Sequence, residues 1–215
     1  YAPGAVSFAV DYLLSHPGTD LIYSDVQVID ENGKNLRLAK AEPFLLKRLL
    51  ESNIVKQPTV FMRRKVIKEL GGVREDLHFV MDQELWMRAA VHFQLEYIHD
   101  VVLANFRFCP GTKSKESPTQ FLAEWKEVLM EFLDTPNLDH NARRCVVNAS
   151  KLAERSYCFG LMLEKAHAGK RRSMLKYMLK GLCAHRMSLF QLGVWKLFLR
   201  AVFRPDVCRD TGRAD

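Results

Sequence analysis

The chain has 215 residues, 48% hydrophobic and 27% charged, which is enough apolar material for a packed core and too much for a disordered chain. Five cysteines, odd in number and without a Cys-x-x-Cys pair, argue against a disulfide framework and a structural zinc site, and they point to a reducing, cytoplasmic setting. The formal charge of +7 sits in one half: residues 1–110 hold 13 Lys and Arg against 14 Asp and Glu, whereas residues 111–215 hold 19 against 11.

In chain order, the opening YAPGAV has neither a basic n-region nor an apolar h-region, so no secretory signal is expected there. GAVSFAVDYLLSHPG brings Ala5, Phe8, Ala9, Tyr12 and Leu13 onto one helical face and stops at Pro17-Gly18, which predicts an amphipathic helix. DLIYSDVQVIDENGKNLRL carries β-favouring residues on both sides of Asn32-Gly33, a dipeptide suited to a type I′ turn, and predicts an antiparallel hairpin. VKQPTVFMRR predicts a short strand, and KVIKELGG a short helix ended by Gly71-Gly72 in the left-handed conformation. MDQELWMRAAV predicts a helix, and QLEYI and VVLANFRF two further strands. The half is therefore α/β, built of short elements.

CPGTKSKESP marks the organisational break, with one region expected over residues 1–116 and a basic helical extension over 117–215. Ser117 and Pro118 supply an N-cap and a first-turn proline for a helix keeping Phe121, Leu122, Trp125, Val128, Leu129 and Phe132 at helical spacing. A longer helix is expected from Asp139 to near Gly169, and a third over RSMLKYMLKGLCAH. SLFQLGVWKLFLRAVF, residues 188–203, is apolar at eleven of sixteen positions but interrupted by Lys196 and Arg200. As a helix it would reach only about 24 Å, short of a roughly 30 Å hydrocarbon core, so a buried or membrane-surface helix is expected rather than a span.

The residues suited to chemistry centre on FVMDQELWMRAA, where Asp82 stands at the head of a helix with Glu84, Trp86 and Arg88 behind it. An aspartate in a first helical turn accepts backbone N–H bonds and complements the dipole; it can equally abstract a proton from a bound hydroxyl. Trp86 fits a core position as well as a sugar-stacking one. Arg88 suits either a phosphate or a neighbouring acid. Asp25 and Asp30 fit strand and turn roles, Asp30 introducing the Asn-Gly turn.

IVKQPTVFMRRKVIKELGGVREDLHFVMDQELWMRAA resembles the acceptor-side half of a GT-A-fold, family 2 glycosyltransferase: a strand with Gln-Pro-Thr, a helix ending in Gly-Gly, a loop, and an Asp-x-Glu-Leu-Trp-x-Arg helix, in that order. YAPGAVSFAVDYLLSHPGTDLIYSDVQVIDENGK is similar to the helix and hairpin before it, and VVLANFRFCPGTKSKE to the strand and Ser-rich loop that follow, so the resemblance spans about residues 1–116. It implies a partial GT-A-like mixed sheet with Asp82 as the catalytic general base. It further implies Gln57, Gly72, Glu84, Trp86 and Arg88 near the acceptor or substrate, and Thr112, Lys113 and Ser114 as phosphate contacts. The partners implied are a nucleotide-sugar donor and a glycan or lipid-linked acceptor.

One carboxylate serves an inverting displacement, whereas retaining glycosidases need two carboxyls about 5–5.5 Å apart. Asp82 and Glu84, two positions apart on a helix, diverge. The family's acidic motif, whose carboxylates hold Mg²⁺ or Mn²⁺, would fall before Tyr1, and the nucleotide-binding half before that; the complete enzyme is expected to use a divalent metal whose ligands are not in this chain, and the chain alone is expected to transfer nothing. Cys109 stands where many relatives carry a His, and a thiol is less suited to those hard cations. The alternative expectation is a non-catalytic remnant or interaction module. Its KRRSMLKYMLK segment would meet an anionic membrane surface, at the inner face of the membrane, or a protein partner; nucleic acid fits less well, with charge and no binding motif.

Overall fold

A computed structural model describes residues 1–109, 118–136 and 138–184. The chain forms two compact units, one comprising Tyr1–Thr112 with Asn137–Ala142 and the other Lys113–Pro136 with Arg143–Asp215. The first is a mixed α/β sheet with short helices and the second is helical.

In the first unit, α1 (Ala5–Ser15) lays Ala5 and Ala9 against Ile22, Ile98 and Leu103, with Phe8, Tyr12 and Leu13 at the margin. The small residues let the helix approach the sheet closely. Arg63 donates from Nε to Thr19 O at 2.8 Å and from Nη2 to Leu13 O, holding the end of α1 in place. β1 (Leu21–Ile29) is the central strand and is buried along almost its whole length. β2 (Asn35–Ala39) pairs antiparallel with its second half and β3 (Phe61–Met62) antiparallel with its start, while β4 (Leu95–Arg107) runs parallel to it. A strand paired on both edges and covered on both faces favours apolar residues, which LIY and VQVI supply apart from Gln27, its one partly exposed position, while buried Ser24 and Asp25 between them are hydrogen-bonded.

Three local expectations are corrected. The β1–β2 turn is not type I′: Gly33 has φ of 86°, but Asn32 does not share its positive φ, the only described non-glycine residue with one being Asp100. The Asp30 Oδ1 accepts the N–H groups of both Asn32 and Lys34 at 2.9 Å, and the Asp30 carbonyl accepts Gly33 N–H at 3.2 Å, so side-chain bonding closes the turn. The Gln-Pro-Thr segment is a 3₁₀ turn, Gln57–Thr59, followed by only a two-residue strand. Pro58 has no N–H to give a ladder, and the Thr59 hydroxyl bonds Ser24 N–H at 3.0 Å and Lys56 O at 2.8 Å instead. QLEYI and VVLANFRF form one strand, β4, because Ser24 pairs with Ile98 and Asp25 with Val102, the residues between bulging out with Asp100 at φ 57°.

The other connections are α2 (Leu46–Glu51), which the sequence pattern did not single out, and α3 (Arg64–Glu69). As expected, α3 ends in Gly71-Gly72, both left-handed at φ 73° and 85°. Gly72 N–H reaches back to Ile67 O at 3.0 Å, the six-to-one bond of a Schellman cap. α4 (Met81–His92) follows the loop anchored by buried Leu77 and Val80.

The second unit contains α5 (Pro118–Phe132), α6 (His140–His167) from Arg143 onward, and α7 (Arg171–Ala184). α5 buries the expected Trp125, Val128, Leu129 and Phe132. Asp139 caps α6 by accepting Ala142 N–H at 2.7 Å. Phe159, Met162 and Ala166 of α6 pack with Met174, Met178 and Leu182 of α7. No helix among the described residues is long and apolar enough to cross a membrane. Residues 188–203, expected as a buried or interfacial helix, lie outside the described residues.

Candidate functional site

The site is organised by α4. Residues Gln83 to Met87 are all buried, so the helix is enclosed on most of its circumference rather than along one stripe. A carboxylate carried into such a position must find a cation or lose its charge. Glu84, 6% exposed, does the first: Arg88 Nε donates to Oε1 at 2.6 Å and Nη2 to Oε2 at 2.8 Å, a bidentate pair one turn apart. Two further guanidinium N–H groups reach Leu70 O at 2.5 Å and Gly72 O at 2.9 Å. Glu84, Arg88 and Gly72, three of the residues expected near a substrate, are thus brought together as a buried tie between α4 and the cap of α3. Trp86 is 3% exposed, and its Nε1–H has no hydrogen-bond partner.

Asp82 differs from all of these. It is only partly buried, it lies in the first turn of α4, and no basic side chain pairs with it among its hydrogen bonds. Its Oδ1 accepts Gln83 N–H at 2.7 Å and its Oδ2 accepts Asn53 Nδ2–H at 3.1 Å. Burial raises its pKa above the ordinary aspartate value, outweighing the N–H groups of Gln83, Asn53 and Asp82 itself, which favour the charged form. A carboxylate offers about four lone-pair sites, and these three groups leave acceptor capacity on it. The helix-terminus and proton-acceptor roles of Asp82 are therefore compatible on one side chain.

Asn53 and Lys56 enter the site without having been singled out in the sequence. Asn53 presents its amide to Asp82, its carbonyl accepts Lys56 Nζ at 3.4 Å, and its own Oδ1 is buried without a partner. Burial lowers the Lys56 pKa, opposed by the charges of Glu42 and Asp25. Asp25 is an interior carboxylate, 1% exposed, whose Oδ1 accepts Ala41 N–H at 2.8 Å and the Tyr97 hydroxyl at 2.7 Å. Burial, then the bond to Asp25, pushes the Tyr97 phenol up to about 12. The only signal these residues give in the sequence is a polar type inside or beside an apolar run.

Gln57 is exposed at the start of the 3₁₀ turn, with its backbone carbonyl accepting Val60 N–H at 3.2 Å. Cys109 is a half-buried thiol. Thr112, Lys113 and Ser114, the expected phosphate contacts, lie outside the described residues. Among the described residues no three His, Cys, Asp or Glu side chains gather so as to hold a metal ion.

Neither protein-family models nor curated proteins give a match to this chain. The fold and site define an α/β mixed-sheet unit followed by a helical unit, with a first-turn carboxylate held by an asparagine.

Proposed function

We propose that the chain carries the acceptor side of an inverting, nucleotide-sugar-dependent glycosyltransferase, with Asp82 as the general base. The observation that carries this reading is the state of the Asp82 carboxylate: oriented at both oxygens by Gln83 and Asn53, not neutralised by an ion pair, and raised in pKa by burial. The ordered Gln-Pro-Thr, Gly-Gly and Asp-x-Glu-Leu-Trp-x-Arg segments support the same assignment.

An acceptor hydroxyl is a poor nucleophile until its proton is removed. As its oxygen forms the bond to the anomeric carbon, the O–H electrons shift into that bond and the proton passes to Asp82. The bond between the anomeric carbon and the nucleotide diphosphate breaks on the opposite face, and the configuration inverts. A base whose pKa is moved toward the working pH gives the proton transfer more driving force while remaining ionised. Asn53 acts as a positioning residue, holding Oδ2 so that the carboxylate does not rotate away. Glu84 and Arg88 set the seat of the helix.

The test is sugar transfer by the longest natural form of the protein, comparing wild type with Asp82→Asn. The substitution is expected to lower kcat by about 10²–10⁴-fold while the melting temperature stays near that of wild type. Undiminished transfer by Asp82→Asn would reduce Asp82 to a helix-terminus residue.

A further inference from the structure

α7 has an inner and an outer side, and the outer side is not an ordinary solvated surface. Met174, Met178 and Leu182 face the α6 cluster, which fixes the rotation of the helix. On the outside Leu175 and Leu179, 44% and 57% exposed, follow one another by a turn. Beside them Arg172, Lys176 and Lys180 form a row at the same four-residue spacing, all exposed. Residues 165–184 contain six Lys and Arg and no Asp or Glu; Lys180 acts on Glu154 of α6, which is itself paired with Lys126 at 2.8 Å.

We infer that this outer face of α7 is a docking surface for an anionic phospholipid bilayer, with Leu175 and Leu179 entering the boundary between headgroups and acyl chains and Arg172, Lys176 and Lys180 resting among the phosphates. Two features favour lipid over a nucleic acid. Paired exposed leucines gain nothing from a phosphate backbone, but they gain transfer energy from an acyl boundary. The aromatic of α7, Tyr177, packs inward on the α6 cluster and is not presented as a stacking platform for bases. The long stems of the basic row can lie along the apolar boundary with their charges in the headgroup layer. The contact is independent of sugar transfer by Asp82.

The experiment is co-sedimentation of the full chain with vesicles of phosphatidylcholine alone and of phosphatidylcholine mixed with phosphatidylglycerol, at low and at physiological salt, with a single-stranded oligonucleotide titrated in parallel. Binding is expected only to the anionic vesicles and is expected to weaken with salt. Removing Lys176 and Lys180 as K176Q/K180Q should weaken partitioning by about fivefold per charge. Replacing Leu175 and Leu179 by Ser, which removes roughly one leucine's worth of exposed surface, should weaken it by on the order of tenfold. Because these side chains are exposed, both variants should keep the wild-type melting temperature. Three results would each overturn the inference: no sedimentation with anionic vesicles at low salt, vesicle binding undiminished by the leucine substitutions, or tighter binding to the oligonucleotide than to the vesicles.

Discussion

Replacing Arg88 by Met removes the partner of a carboxylate that cannot easily return to water. The Glu84 side chain is 8% exposed and that of Arg88 24%, and the pair is bidentate at 2.6 and 2.8 Å. The same change strips donors from Leu70 O and Gly72 O at the end of α3. Breaking a buried pair by removing one member costs about 3–5 kcal/mol; water reaching the partly exposed guanidinium side places this case near the lower end, at about 3 kcal/mol. For a chain of this size each kcal/mol moves the melting temperature by roughly 2–4 °C, so Arg88→Met should melt about 6–12 °C below wild type. Hydrogen exchange read by mass spectrometry should localise the loosening to residues 64–92. Adding Glu84→Leu to the same chain removes the stranded charge and should recover half or more of the loss, since a well-packed apolar pair can replace an ion pair. An Arg88→Met cost below about 1 kcal/mol, or a double variant no more stable than the single, would show that Glu84 is not held by a buried ion pair. An arginine kept for a donor phosphate would instead leave the melting temperature alone and raise the KM for the nucleotide sugar.

Asp82 should oppose folding as pH rises. Its folded pKa lies above the ordinary 3.8, so its contribution is fully present below that value and is lost as pH climbs through the raised folded value, where the unfolded chain ionises more readily. The stability of wild type relative to Asp82→Asn should therefore fall between pH 3.8 and neutrality in chemical denaturation, and a flat difference would remove burial as the cause. In the helical unit, a Cβ at Gly181 would meet Phe159 Cε1 at 2.6 Å and Cδ1 at 2.8 Å. Overpacking of about 1–3 kcal/mol should exceed the helix-propensity gain of roughly 1 kcal/mol, so Gly181→Ala should lower the melting temperature. Gly160→Ala meets only Thr119 Cγ2 at 2.8 Å, at the end of a side chain that can turn, and should be near neutral; equal effects at the two positions would refute the packing argument.

The residue pattern was sufficient for whatever depends on neighbours in the chain. The helices α1, α5, α6 and α7 follow from apolar spacing, the stop at Gly71-Gly72 from a conformation that glycine adopts without strain, and the head of α6 from Asp139. These are short-range steric and hydrogen-bonding preferences, carried by residues a few positions apart. The candidate base was legible in the same way, as a carboxylate in a first helical turn within an ordered set of segments.

Tertiary structure decided what depends on distant segments meeting. Tyr97 reaches Asp25 across 72 positions and Asn53 reaches Asp82 across 29, and neither residue advertises its partner locally. The parallel pairing of β4 with β1, and the bulge that joins two apparent strands into one, arise only once both strands compete for the same edge. The enclosure of α4 decided most: with its flanks buried, Glu84 had to claim Arg88, and Asp82, at the less buried end, kept an unpaired carboxylate, because charge in a low-dielectric interior is tolerated only where something compensates it.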